Sequence, residues 1–97
     1  MAQFSLIMYE LTYAKEAEED LARLKKNEPV CFKKALKLLK EIAFHPTTGT
    51  GHPEQLKSEP ENTWSRHISK KHRLVYRIFG TEVYIYVLSA YGHYDDK

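Results

Sequence analysis

Two short stretches late in the chain, His72-Arg73-Leu74-Val75-Tyr76 and His93-Tyr94, bring a guanidinium, imidazoles and phenols onto or beside neighbouring strands of one small sheet. Between Ser65 and Gly80 lie Arg66, Lys70, Lys71, Arg73 and Arg77, two histidines and no acid, a local positive field that draws a polyphosphate. Such groups are suited to cutting RNA without a metal. The 2′-oxygen of a ribose attacks the adjacent phosphorus, so the reaction needs a base for the 2′-hydroxyl, a cation for the phosphorane and an acid for the departing 5′-oxygen.

Positioning these groups falls to a small set of elements. Phe4 to Leu11 is apolar on both alternating sets (Phe4, Leu6, Met8 and Ile7, Tyr9, Leu11), the pattern of a strand that is central or covered on both faces. Thr12 is placed to cap a helix in which Ala14, Ala17, Leu21 and Leu24 recur at helical spacing. Glu16, Glu18, Glu19 and Asp20 load its first turns and Lys25-Lys26 closes it, as the helix dipole favours. Asn27-Glu28-Pro29 breaks the chain, since proline suits a first helical turn but not an interior. A second helix follows with Phe32, Ala35, Leu36, Leu39, Ile42 and Ala43 on its apolar face and Lys33, Lys34, Lys37 and Lys40 mostly on the solvated one.

His45-Pro46 ends that helix, and Thr47 to Pro53 reads as a turn-rich loop. Thr63–Ser69, Arg73–Phe79 and Glu82–Ala90 read as strands joined by Lys70-Lys71-His72 and Gly80-Thr81, an antiparallel meander. Two consecutive helices cover one face of it and leave the other partly open. The fold class is α+β, an N-terminal strand and two helices packed on a mainly antiparallel four-stranded sheet. In the middle strand Leu74, Tyr76 and Ile78 belong under the helices, so Arg73, Val75 and Arg77 belong on the open face.

At 97 residues the chain forms one domain, large enough to need no disulfide or metal staple. Residues 1–50 carry eight Lys/Arg against seven Asp/Glu and residues 51–97 seven against six, so the formal charge of +2 is not a tail effect. Cys31 is alone and cannot form an intrachain disulfide, in keeping with a reducing cytosol. Within a helical pattern it reads as a small buried apolar side chain in preference to a reactive thiol. The start, Met1-Ala2-Gln3-Phe4, has no basic leader region and no apolar run reaches a membrane span, so a cytoplasmic protein is expected. His67, His72 and His93 lack the paired spacing of a metal site and the one cysteine is remote from them, so neither metal nor cofactor is expected.

The segments Gly51-His52-Pro53-Glu54-Gln55-Leu56-Lys57, Trp64-Ser65-Arg66, His72-Arg73-Leu74-Val75-Tyr76 and His93-Tyr94 resemble, in order and spacing, the YoeB/Txe toxins of type II toxin–antitoxin systems, part of the wider RelE-like group. The match is close over the last half of the chain, while the first half agrees in its order of elements. The resemblance implies a RelE-like fold and a ribosome-dependent endoribonuclease that cleaves messenger RNA in the decoding site. It also implies a cognate antitoxin of the YefM/Phd kind, and a homodimer is considered beside it. Carried over residue by residue, it makes Glu54 the base, Arg73 the transition-state cation, His93 the general acid and Tyr94 the group that orients or stacks on the substrate. Lys57 and Arg66 become secondary phosphate contacts, and the basic run adds His67, Lys70, Lys71 and Arg77 as RNA-binding residues.

Two departures from the family pattern stand out. His67 follows Arg66 where a second arginine is common, which removes a permanent charge. Asp95-Asp96-Lys97 extend past the tyrosine at which relatives often stop and add carboxylates beside the expected acid. Other readings compete with the nuclease. A related toxin of the same fold that poisons gyrase (ParE type) would not need Glu54, Arg73 and His93, and a catalytically silent RNA- or repressor-binding module would need only the basic strand region.

Overall fold

The computed structural model of the protein describes residues 7–92. Phe4 to Leu6 of the expected first strand, the expected catalytic pair His93 and Tyr94, and the Asp95-Asp96-Lys97 extension lie outside the described residues. The elements run β1 (Glu10–Tyr13), α1 (Lys15–Asn27), α2 (Pro29–Phe44), β2 (Glu54–Gln55), β3 (Thr63–His67), β4 (Arg73–Phe79) and β5 (Tyr84–Ser89). Among the described residues the sheet has five strands in the order β1-β5-β4-β3-β2, with β1 parallel to β5 and every other pairing antiparallel. The α+β class and the mainly antiparallel sheet are as expected. The fifth strand is the two-residue β2, too short to announce itself by alternation. No helix of the described residues is long and apolar enough to cross a membrane.

The N-terminal strand differs most from expectation. It starts later, runs through Thr12 and lies at the sheet edge. Thr12 pairs with Tyr86 and donates its hydroxyl to the Ile85 carbonyl (3.3 Å), so it builds the sheet and does not cap α1. Ala14 takes the N-cap position without a side-chain bond. Tyr9 and Leu11 pack on the core, while Ile7 and Met8, which precede the strand, stay exposed. Pro29 opens α2 as expected, but the helix turns its Leu38 inward and leaves Leu36 exposed. The buried stripe is Ala35, Leu38, Leu39 and Ile42, which meets Leu74, Tyr76, Ile78, Ile85 and Val87 from the sheet. Each fully buried aliphatic side chain of this kind contributes about 1.5–3 kcal/mol.

At the centre of this interface is Arg66, with a side chain that is 0% exposed. It alternates with Ser65 and His67 along β3 and pairs with Leu74, so it shares the helix-covered face with Trp64 and Ile68. A guanidinium has five N–H donors, and all five are used. Nε donates to the Tyr76 hydroxyl (3.0 Å), one Nη to Glu41 Oε1 (2.7 Å) and the Thr50 carbonyl (3.3 Å), and the other Nη to the His45 and Thr48 carbonyls. Tyr76 in turn donates to the Pro46 carbonyl (2.7 Å). The expectation that Arg66 contacts phosphate is therefore corrected: its charge and its donors are spent inside the fold.

This network turns the loop after α2 into a fixed structure. Glu41 accepts from the Thr50 N–H (2.8 Å) and hydroxyl (3.1 Å), and these bonds, the backbone one foremost, with help from the Arg66 charge, hold its carboxyl below the usual carboxylate range. Burial pushes the Tyr76 phenol above its ordinary value. Gly49 stands at φ +119, and a Cβ there would come within 2.6 Å of the Glu41 carboxylate, so only glycine fits.

Replacing Arg66 by methionine takes the cation from Glu41, whose side chain is 30% exposed, and the donors from three loop carbonyls, and a loss of about 1–3 kcal/mol is expected. Urea unfolding at unchanged m-value measures it. A midpoint equal to that of the parent chain would show that the network is dispensable. A second outcome concerns acid. A carboxyl whose folded pKa is depressed stabilises above its unfolded pKa and loses that contribution as pH falls through the folded value. The stability gap between the parent chain and Glu41→Gln should be widest near neutrality and close as pH drops below the ordinary carboxylate range; a gap independent of pH would refute the linkage.

Candidate nucleic-acid interface

The face of the sheet away from the helices is ordered in cross-strand rows. Glu54 pairs with Ser65, Ser65 with Val75 and Val75 with Ser89, while His67 pairs with Arg73 in the next row. Glu54 and Arg73 thus share a face, two strands apart and offset by two residues. With strands about 4.8 Å apart and about 3.4 Å of rise per residue, their Cα atoms lie roughly 12 Å from one another, a gap that two long side chains can flank. Glu54 is exposed and Arg73 half-buried. Within this face the Ser65 hydroxyl and Arg73 Nε are buried atoms without a hydrogen-bond partner, unlike the fully engaged Arg66. Buried donors of this kind are uncommon in folded proteins and call for an explanation.

Local backbone geometry sets the rim. Gly51, at φ +86, accepts the His67 N–H (2.7 Å), and a Cβ on it would meet the His67 carbonyl at 3.0 Å. That close approach brings the His52 ring edge-on to the His67 ring at 5.9 Å, so the Gly51-His52-Pro53-Glu54 segment lies beside β3. Lys57, Lys70 and Lys71 are exposed, the last two at the tip of the β3–β4 hairpin. Arg77 sits one row from Val75 on the open face, with Nε donating to the Glu61 carbonyl (3.2 Å) and its guanidinium 4.8 Å from the Phe79 ring centroid. Glu54, His67, Arg73 and Arg77 are thus brought to one face; Arg66 is removed from it.

The segment after β5, as far as Gly92, approaches the same place. A register shift between Val75 and Tyr76 leaves Leu88 out of the pairing and bends the end of β5. The Arg73 N–H then donates to the Gly92 carbonyl (3.0 Å), so the last described residue is bonded to the arginine that shares the face of Glu54. His93 is next in sequence.

Two side chains that sequence reasoning did not assign to the site direct this approach. Asp20, expected as a dipole-facing surface acid, is buried and accepts the Ala90 N–H (2.9 Å). His72, grouped by sequence with the reactive side chains, is 0% exposed, and its Nδ1 accepts the Gly92 N–H (2.8 Å). With Nδ1 an acceptor, the neutral ring carries its proton on Nε2, which donates to Glu28 Oε2 (2.9 Å). The bond to His72 is the chief cause that holds the Glu28 carboxyl below its ordinary range, helped by the Lys71 charge and the Tyr91 hydroxyl. His72 therefore lies beneath β4 and orients the chain; its imidazole does not face the open side. The buried position of Leu74, two residues on along the same face, was the available signal.

Cys31 also departs from expectation. It is half-buried, not buried, and it is not remote from the histidines: one ligand atom each of Glu28, Cys31 and His72 lie within 4.8 Å of one another. Sequence distance concealed this, because the hairpin returns His72 to the junction between α1 and α2.

Comparison with known proteins agrees with this architecture. The profile of the YoeB-like toxins of bacterial type II toxin–antitoxin systems matches residues 13–94. Toxin YoeB of Streptomyces coelicolor is 32% identical over 87% of the chain and 98% of its own length. The YoeB/ParE toxin from Agrobacterium tumefaciens superposes with a TM-score of 0.81 at 28% identity, covering 88% of this chain and 99% of that one. YoeB of Staphylococcus aureus, 34% identical, superposes at 0.79 as a dimer (90% and 99% covered) and at 0.75 in complex with YefM (89% and 98% covered). The likeness reaches both helices, beyond the motif fragments legible in the second half, and the chain belongs to the YoeB-like toxins of bacterial type II toxin–antitoxin systems.

Proposed function

We propose that the protein is the toxin of its module through endoribonuclease activity, cutting messenger RNA on the ribosome, in the cytoplasm. The observation that carries this reading is Arg73: an unpartnered guanidinium Nε on the same sheet face as Glu54, with its own amide bonded to the residue that precedes His93. Glu54 takes the proton of the 2′-hydroxyl or orients it. The 2′-oxygen bonds to phosphorus as the bond from phosphorus to the 5′-oxygen breaks. Arg73 stabilises the charge that grows on the equatorial oxygens, and its planar fork suits two of them at once. His93 gives a proton to the 5′-oxygen, an exchange that suits an imidazole near neutral pH, and Tyr94 orients or stacks on the substrate. The products are a 2′,3′-cyclic phosphate and a 5′-hydroxyl.

Lys57, His67, Lys70, Lys71 and Arg77 supply the surrounding phosphate contacts. His67 does so without a permanent charge, so this rim binds backbone more weakly than an arginine pair would. The complex of Staphylococcus aureus YoeB with YefM supports a cognate antitoxin of that kind for this chain, and the dimer of the same toxin supports self-association.

Glu54→Ala, Arg73→Ala and His93→Ala should each lower cleavage of a translated message by about 10²–10⁴-fold while the chain stays folded. Primer extension in a purified translation system reads the rate, and mass spectrometry of the fragments reads their ends. Wild-type rates in all three variants would dismiss the assignment. A 3′-hydroxyl with a 5′-phosphate would instead point to water as the nucleophile. A gyrase poison or a silent binding module would keep its effect in His93→Ala.

The open basic face also fits an acidic, partly disordered antitoxin segment that folds on binding. Hydrogen exchange with and without the antitoxin should show protection at Arg73 and along the end of β5, with association slowed by salt. Met8, Tyr13, Leu36 and Phe44 line an apolar groove between β1 and α2, and protection confined to it, with β4 unchanged, would mean that inhibition acts from a distance.

A further inference from the structure

Beneath the start of β4, on the helix side of the sheet and away from Glu54, three side chains of metal-ligand type converge. Cys31 Sγ is 3.8 Å from Glu28 Oε1, and His72 Nε2 is 2.9 Å from Glu28 Oε2. Each stands on fixed backbone. Glu28 joins the helices, donating its N–H to the Leu24 carbonyl (2.7 Å) and accepting that of Phe32 (3.0 Å), and Cys31 follows in the first turn of α2. His72 donates its N–H to Ser69 Oγ (3.1 Å) and its carbonyl accepts the Ile68 N–H (3.0 Å). A thiolate, an imidazole and a carboxylate so placed match the donor preferences of zinc, which in three-ligand sites completes its tetrahedron with water. The Glu28 side chain is 27% exposed, so both ion and water have access.

We propose that Glu28, Cys31 and His72 form a Zn²⁺ site, and that the metal and the Gly92 amide compete for the same imidazole. In the metal-free arrangement His72 Nδ1 accepts from Gly92 and the proton resides on Nε2, the nitrogen that faces Glu28 and Cys31. Metal coordination needs the Nε2 lone pair. The imidazole proton then moves through solvent from Nε2 to Nδ1, where it confronts the Gly92 N–H, and the Cys31 thiol gives its proton to solvent; no electron is transferred. Gly92 keeps its carbonyl bond from Arg73 but loses the one from its own amide. The Lys71 ammonium, 4.0 Å from Glu28 Oε2 on a side chain 69% exposed, turns out to solvent, and the Tyr91 ring, tilted against His72 with centroids 4.3 Å apart and with the Arg23 guanidinium over its other face, closes the other side.

Cobalt tests the site, because the chain has one cysteine and any thiolate-to-cobalt charge-transfer band must come from Cys31. Titration of the untagged, reduced full chain with Co²⁺ should give that band, saturating at one ion per chain. The band should vanish in Cys31→Ser, whose half-buried side chain can change without loss of the fold, and Glu28→Gln should weaken affinity at least about tenfold. Saturating Zn²⁺ should speed hydrogen exchange of the Gly92 amide and leave that of Ala90, held by Asp20, unchanged. No band in the parent chain, or one that survives in Cys31→Ser, overturns the site. A band accompanied by unaltered Gly92 exchange overturns the competition. Neither readout depends on RNA cleavage.

Discussion

A fully buried guanidinium must satisfy five N–H groups at once, and the architecture around α2, β3 and the connecting loop follows from how Arg66 does so. Its acceptors come from four parts of the chain: Glu41 on α2, the His45 and Thr48 carbonyls just past it, Thr50, and Tyr76 on β4. Loops generally keep their carbonyls in water; here three carbonyls of the 45–50 loop face one cation instead. The loop therefore ends at a fixed point, and Gly51 arrives beside His67 with the geometry that pairs Glu54 to Ser65. The buried cation on one face of β3 is what places an exposed carboxylate beside the other.

The same division of labour governs the segment after β5, as far as Gly92. Ala90 and Gly92 give their amides to Asp20 and His72, and Arg73 gives its amide to Gly92. Three hydrogen bonds within three residues direct a segment that has left the sheet, and each contributes about 0.5–1.5 kcal/mol. A C-terminal segment would otherwise fray. Because His72 also bonds to Glu28, the junction between the two helices and Gly92 are linked through one imidazole.

Much of this was legible in the residues. Alternation placed Leu74, Tyr76 and Ile78 under the helices and Arg73 opposite, because β4 is long and its apolar set is complete. The same count along β3 puts Trp64, Arg66 and Ile68 on the covered face, so the burial of Arg66 was readable from parity alone; its positive charge suggested a surface role that its neighbours contradict. Other features had no local signal. β2 holds its two residues in place through β3 and not through propensity, and Thr12 enters the sheet because β5 offers a parallel edge. Glu28, Cys31 and His72 are joined only by the fold, across a separation of more than forty positions that no spacing rule spans.

Arg66 and Arg73 show how strand parity, more than residue type, decides function in so small a domain. Both are arginines in the basic run, and both lie on neighbouring antiparallel strands. One points into the helices, where the desolvation cost of its charge must be offset by acceptors in the native chain, and it is fully engaged before any ligand arrives. The other lies on the face away from the helices, half-buried, and its buried Nε has no acceptor within the fold. A one-residue slip of β3 would expose Arg66, bury the ring of His67 and abolish the row of Glu54 and Ser65, leaving Arg73 on its own face of β4. The register of the β3–β4 hairpin, set at its tip by the bonds between Ile68, Ser69 and His72, is therefore a condition of the site as much as of the fold.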